Sequence, residues 1–167
     1  MVNAIRRFLI HLFGGPWLVR RYFSPADLQA IATTITANER LHAGQIRFVV
    51  ESVLHPYQLW RGVTPRQRAL TLFSELGIWD TEQKNGVLIY LLLADHDVEI
   101  VADRGISRHV PAEQWEAICH EMEDCFRQHQ FLQGVQLGVG RIGELIAKHY
   151  PPVAQSSNEL PDQPVLL

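Results

Sequence analysis

Asn85-Gly86-Val87-Leu88-Ile89-Tyr90-Leu91-Leu92-Leu93-Ala94-Asp95-His96-Asp97-Val98-Glu99-Ile100-Val101-Ala102 is the stretch that decides the fold. Val87–Ala94 is a continuous apolar run, too short for a convincing helix and bounded by Asn85-Gly86 and Asp95-His96-Asp97. It predicts a central strand buried on both faces. Val98–Ala102 predicts another strand, and the tripeptide turn between them makes the two antiparallel.

The flanking sequence supplies the layers. Ser24-Pro25 is an N-cap followed by proline at the first helical position. The helix it opens runs to Arg40, with Leu28, Ile31, Ala32 and Ile35 facing inward. Gly44 breaks it, and Gln45–Ser52 alternates, with Ile46, Phe48 and Val50 on one side, as a strand does. Thr64-Pro65 caps a second helix that ends before Gly77. Strand, helix, strand is a crossover, so the first two strands should run parallel. Pro111 starts a third helix to Gln128, and Phe131–Tyr150 forms a fourth, stopped by Pro151-Pro152. The order αβαββαα predicts an α/β domain, a small mixed β-sheet sandwiched between helices. Trp60 and Trp79, flanking the second helix, are expected in the core, and Gly138-Val139-Gly140 is expected to allow close helix packing.

Composition bounds the function. With 167 residues, 47% hydrophobic and 20% charged, the chain can bury one core. Residues 1–23 carry Arg6, Arg7, Arg20 and Arg21 and no acid, a charge of +4 on a chain of net −3. Glu159 and Asp162 give residues 151–167 a charge of −2, which leaves −5 for the middle. A basic head on an acidic body argues against nucleic-acid binding by the domain and suits contact with an anionic surface. Ile5, Phe8, Leu9 and Leu12 form one apolar stripe over residues 2–13, and Trp17, Leu18, Tyr22 and Phe23 follow. The head therefore either lies at a membrane interface or folds back on protein. The organisation read here is a basic amphipathic segment over 1–23, the domain over 24–150, and a Pro-, Ser- and Gln-rich tail over 151–167 expected to be disordered. No run of 18 apolar residues exists and Phe8–Phe13 is a poor signal peptide, so no spanning helix is expected. The expected place is the cytoplasm, with the head able to make peripheral contact at the inner membrane. Cys119 and Cys125 read as reduced structural residues.

Chain direction alone locates a candidate site. Parallel first and second strands start at the end of the sheet where the antiparallel third strand finishes. Residues 38–45, 78–86 and 103–108 meet there, bringing Glu39, His42, Gln45, Asp80, Glu82, Asn85, Asp103 and Arg104. Oxygen ligands from several loops are what Ca²⁺ or Mg²⁺ needs, and Asp80, Asn85 and Asp103 could supply them, with Glu39 and Gln45 on the surrounding surface. The bland alternatives are a turn at Asn85-Gly86, a cap at Asp80-Thr81 and a surface pair at Asp103. No HxxxH or HExxH spacing, P-loop or GxSxG elbow is present.

Trp79-Asp80-Thr81 with Asn85-Gly86-Val87-Leu88-Ile89-Tyr90 resembles the central motif of the TPM domain family. Glu39 with Gly44-Gln45-Ile46-Arg47-Phe48-Val49-Val50 resembles its first-strand motif, and Val98–Ile106 its third strand and turn. The resemblance covers residues 24–150 and is strongest to short bacterial members. It implies this fold and three roles: acid phosphatase, calcium-binding protein, and factor in membrane-protein repair or assembly. The sequence departs from the family at Lys84, at Gln45 and in Asp103-Arg104-Gly105-Ile106-Ser107, each change removing or relocating negative charge. The expectation is a non-catalytic accessory module for membrane-associated protein maintenance, with a protein partner at or near the membrane. The alternative is a metal-dependent phosphatase in which Asp80 and Asp103 hold the cation and Arg104 or Asn85 orients the phosphate.

Overall fold

The computed structural model describes residues 10–152 and 158–167. The elements are α1 (Trp17–Tyr22), α2 (Pro25–Glu39), β1 (Gln45–Glu51), α3 (Pro56–Trp60), α4 (Pro65–Glu75), β2 (Gly86–Leu92), β3 (Asp97–Ala102), α5 (Arg104–Ser107), α6 (Ala112–Arg127), α7 (Phe131–His149) and β4 (Val165–Leu166). Four strands form one sheet in the order β3-β2-β1-β4. β1 runs parallel to β2, and β2 antiparallel to β3, as the crossover and the short turn require.

Local signals set the boundaries. Ser24 and Thr64 each close a capping box, with Asp27 and Gln67 returning the bond, and proline follows both caps. Gly77 follows the C-cap of α4 at φ +65°, the left-handed conformation that ends helices at least cost with glycine. All seven residues of β2 are buried, so it is the central strand that its apolar run predicts. One core lies between the sheet and α1, α2, α6 and α7, with Ile35, Phe48, Ile89, Met122 and Val139 among its members. A second, smaller core on the other face joins Leu72 of α4 to Leu88, Tyr90 and Val101. Gly138 seats α7 against Met122, where a Cβ would overlap the thioether, whereas Gly140 has open space beside it.

Two expectations need correction. Trp60 and Trp79 are 79% and 47% exposed, not core, because the turns around α4 carry them past the smaller core. Residues 18–23 fold back on the domain, one of the two alternatives for the head, with Leu18, Val19 and Phe23 buried in the main core. The tail is not disordered over 158–167. Leu160 is buried, and Val165–Leu166 adds to β1 opposite Val49 and Val50. The cause is β1 itself, whose outer edge needs hydrogen bonds: Leu167 N donates to the Val50 carbonyl at 3.0 Å and Ser52 N to the Leu167 carbonyl at 2.9 Å. Arg47 fastens this strap of residues 158–167, donating to the carbonyls of Pro161 and Gln163. The stripe expected from Ile5 to Leu9 lies outside the described residues. Among the described residues no helix is long and apolar enough to cross a membrane.

Candidate functional site

The end of the sheet assembles as chain direction demands. Asn85 Nδ2 donates to the Ala43 carbonyl at 3.0 Å, tying residues 78–86 to 38–45. Gly105 lies so close to the carbonyls of Gln83 and Lys84 that a Cβ would overlap them, which ties in 103–108.

What the gathered side chains do there is largely structural. Gln45 is buried, and its Oε1 accepts from the backbone N–H groups of Glu159 and Leu160 at 2.8 and 3.0 Å. Glu39 Oε1 accepts from Ile46 N at 2.6 Å, capping the first free N–H of β1. Burial pushes the Glu39 carboxyl up to about 8; the bond from Ile46 opposes this, and neighbouring Asp162 adds to it. Glu39 therefore holds a proton at neutral pH and shares it with Asp162 of the strap, which also takes bonds from Thr36 and Asn158. His42 is buried between Asn38 Oδ1, 2.8 Å from Nε2, and Gly44 N, which donates to Nδ1 at 3.1 Å. Burial holds it down at about 4, so it is neutral.

Asp80 is exposed, whereas Asn85 and Asp103 are buried. Asn85 N donates to Thr81 Oγ1 at 3.1 Å. Asp103 caps α5, its Oδ1 accepting from Arg104 N at 2.6 Å, and its own N–H donates to the Gly86 carbonyl at 2.9 Å. Asn85 Oδ1 and Asp103 Oδ2 are buried without a hydrogen-bond partner. Val87 lies opposite Ala102, so Gly86 faces Asp103, and Asn85 falls on the other face of the sheet. Asp80 is in solvent. Among the described residues no group of three or more His, Cys, Asp or Glu is arranged around one centre. Of the six or more oxygens a Ca²⁺ shell needs, Asn85 Oδ1 and Asp103 Oδ2 are the two at this end that are buried and left without a hydrogen bond.

The end is also less acidic than its loops suggest. A hollow of about 370 Å³ opens between Gln83, Lys84, Arg104, Gly105, Arg108, His109 and Tyr150, so three cations line it. Lys84 Nζ is steadied by the Trp79 carbonyl at 3.2 Å and by the Trp79 ring 5.5 Å away.

Sequence reasoning missed a larger feature. A groove of about 640 Å³ runs along the outer edge of β3, between Arg66 of α4 and Trp115, Glu116, Cys119, His120 and Glu123 of α6. Its position depends on strand order, which puts β3 at the rim, and no residue pattern announces that. Trp115, Cys119 and Glu123 do recur every fourth residue on one helix face, the only local trace of the groove. Burial and the nearby Glu99 push the Cys119 thiol up to about 12, in keeping with a reduced, unreactive residue.

The TPM domain model matches residues 20–145. The fold is similar to the NMR structure of the BA42 protein from the psychrophilic bacterium Bizionia argentinensis, with 27% identity and a TM-score of 0.77 over 87% of this chain and 95% of that one. It is also similar to the solution structure of the N-terminal domain of a protein from P. gingivalis, at 19% identity and a TM-score of 0.62, covering 80% of this chain and 82% of that one. No curated protein matches the sequence.

Proposed function

Since the chain belongs to the TPM domain family, we propose that it is a non-catalytic binding module, an accessory factor in the maintenance or repair of membrane-associated proteins. In this reading the head makes peripheral contact with an anionic membrane and the domain meets a protein partner there. One observation carries it. Phe13 and Trp17 are 73% and 53% exposed, while Leu18, Val19 and Phe23 hold the same segment in the core. Arg20 and Arg21 are exposed beside them. Rigidly held aromatic rings next to arginines suit the boundary between headgroups and acyl chains.

The test is co-sedimentation with phosphatidylcholine vesicles, with and without phosphatidylglycerol. The full chain should pellet with the anionic vesicles, and the Phe13→Ser, Trp17→Ser double variant should remain mostly in solution. A wild-type chain that ignores both vesicle types would overturn the membrane part. Removing residues 1–9 asks whether Arg6 and Arg7 contribute; removing 1–23 would take three residues out of the core.

The cationic hollow favours a second reading, a metal-dependent acid phosphatase acting on phosphate monoesters, with Arg104 orienting the phosphate and Asp80 and Asp103 as the acidic residues. A chromogenic phosphate ester, with and without Mg²⁺ or Ca²⁺, separates the two. Metal-dependent turnover abolished by both Asp80→Asn and Asp103→Asn would replace the binding module with the enzyme. Asparagine can still cap α5, so the second variant should fold.

A further inference from the structure

The antiparallel register fixes which backbone groups of β3 are spoken for. Asp103 N donates to the Gly86 carbonyl, so residues 97, 99, 101 and 103 turn their N–H and C=O toward β2. Val98, Ile100 and Ala102 turn theirs outward, into the groove. Among the described residues, side chains meet them. Arg66 Nη1 donates to the Ile100 carbonyl at 2.6 Å, and Val98 N reaches Glu123 Oε1 at 3.5 Å. Ile100 also bonds the Cys119 thiol. Long side chains of this kind can swing aside for a better partner, as backbone partners are on a sheet edge.

Two independent observations say what kind of partner. The first is charge. Asp97, Glu99, Glu116 and Glu123 line the groove, and Arg66 is the one arginine or lysine among its lining residues. Burial raises the Glu99 carboxyl, the ion pair with Arg66 at 3.3 Å opposes this, and Glu123 and Glu116 add to the rise; Glu123 is itself paired with Arg127 and His120 at the rim. The second is an unmet donor. Trp115 on the groove wall is 8% exposed, and its indole N–H is buried without an acceptor. A backbone carbonyl drawn in beside it would supply one.

We propose that the groove between β3 and α6 binds an extended, basic segment of a partner protein, which adds to the sheet as a strand beside Val98–Ala102. Main-chain bonds to Val98, Ile100 and Ala102 give the affinity, and alternate lysine or arginine side chains meet Glu116 and Glu123. A strand's period of two sends every second side chain to the α6 side, where Glu116 and Glu123 lie, and the others toward Arg66 and α4. The proposal identifies the partner chemistry of the binding module proposed above and rests on that reading, but not on its membrane contact.

The probe is a capped heptapeptide alternating lysine and valine, titrated without lipid and followed by calorimetry and by amide and indole NMR resonances. Binding should be saturable with Kd on the order of 50 µM, weaken about tenfold in Glu116→Lys, and weaken with salt. Glu116 is exposed, so that variant should keep its fold. The Trp115 indole and the amides of Val98, Ile100 and Ala102 should shift together. N-methylating one alternate set of peptide amides should abolish binding, and methylating the other set should spare it. Equal binding by the glutamate analogue, indifference to both methylation patterns, an unmoved Trp115 indole, or pairing of this edge with a second copy of the chain would each overturn the proposal. Loss of peptide binding with vesicle binding intact sinks the groove alone, and the converse sinks only the membrane contact.

Discussion

Replacing Glu39 with glutamine should make the protein more stable at pH 8 and leave it nearly unchanged at pH 4.5. The folded carboxyl titrates at about 8 against 4.5 for the free side chain. Between those values the unfolded chain has lost the proton and the folded one keeps it, so wild-type stability falls as pH rises through this window. Each pH unit is worth about 1.4 kcal/mol, which caps the loss at ~5 kcal/mol. Glu39 is only half-buried, so solvent screening reduces the expected figure to about 2 kcal/mol. Glutamine keeps the Oε1 acceptor for Ile46 N and offers its amide N–H to Asp162 in place of the shared proton. His42 works in the opposite sense. Burial lowers it from 6.5 to about 4, so it costs stability as pH falls through that interval. The wild type should therefore be flat from pH 4.5 to 6.5, where the two slopes oppose, and decline from 6.5 to 8. Glu39→Gln should rise from pH 4 to 6.5 and then stay level. Urea unfolding of both chains across pH 4–9 measures this. A stability difference that stays constant from pH 5 to 8 would refute the shared proton between Glu39 and the strap.

Arg68→Ala should cost about 3 kcal/mol in urea unfolding, because it strands the buried Glu51 carboxylate that Arg68 grips through Nε and Nη2 and that Tyr90 Oη reaches at 2.6 Å. Leu160→Asp should lower the thermal midpoint by roughly 5–10 °C, since it puts a charge into the smaller core and loosens the strap. Phe13→Ser with Trp17→Ser should change stability by no more than about 1 kcal/mol, because both side chains are more exposed than buried, so a loss of vesicle binding by the folded variant is not a folding effect. Titration with Ca²⁺ should leave the thermal midpoint unmoved at millimolar concentration, and an upward shift lost in Asp103→Asn would show that the sheet end closes around an ion after all.

The three central strands were legible because their signals are local. An apolar run too short for a helix, a tripeptide turn and two proline-led caps fix β2, β3, α2 and α4 without tertiary information. Chain direction then brought 38–45, 78–86 and 103–108 together correctly. What sequence could not reveal was how each polar group would be used. Asn85, Gln45 and Glu39 look like ligands in a list of residues, yet two of them hold strands and strap by bonding backbone, and the third anchors one loop to another. β4 was hidden for a different reason. Its segment is rich in proline and polar residues, which reads as tail, and only the unfilled outer edge of β1 makes Val165–Leu166 a strand. The apolar ending Val165-Leu166-Leu167 was the trace available.

The two edges of this sheet are treated differently, and the difference bears on function. The outer edge of β1 receives a strand from its own chain, fastened by Gln45, Arg47, Ser52 and the Glu39–Asp162 contact. That is ten residues of sequence devoted to filling one edge with backbone. Among the described residues the edge of β3 receives none, although α4 and α6 stand on either side of it and leave a groove of about 640 Å³. If protection from aggregation were the only demand, α6 could close over β3, or lysines could line it. Instead the channel stays open, carries carboxylates in place of the usual lysines, and holds an indole donor without an acceptor. Open, acidic and short of one acceptor is a poor design for a sealed edge and a good one for an edge that takes a basic strand from elsewhere.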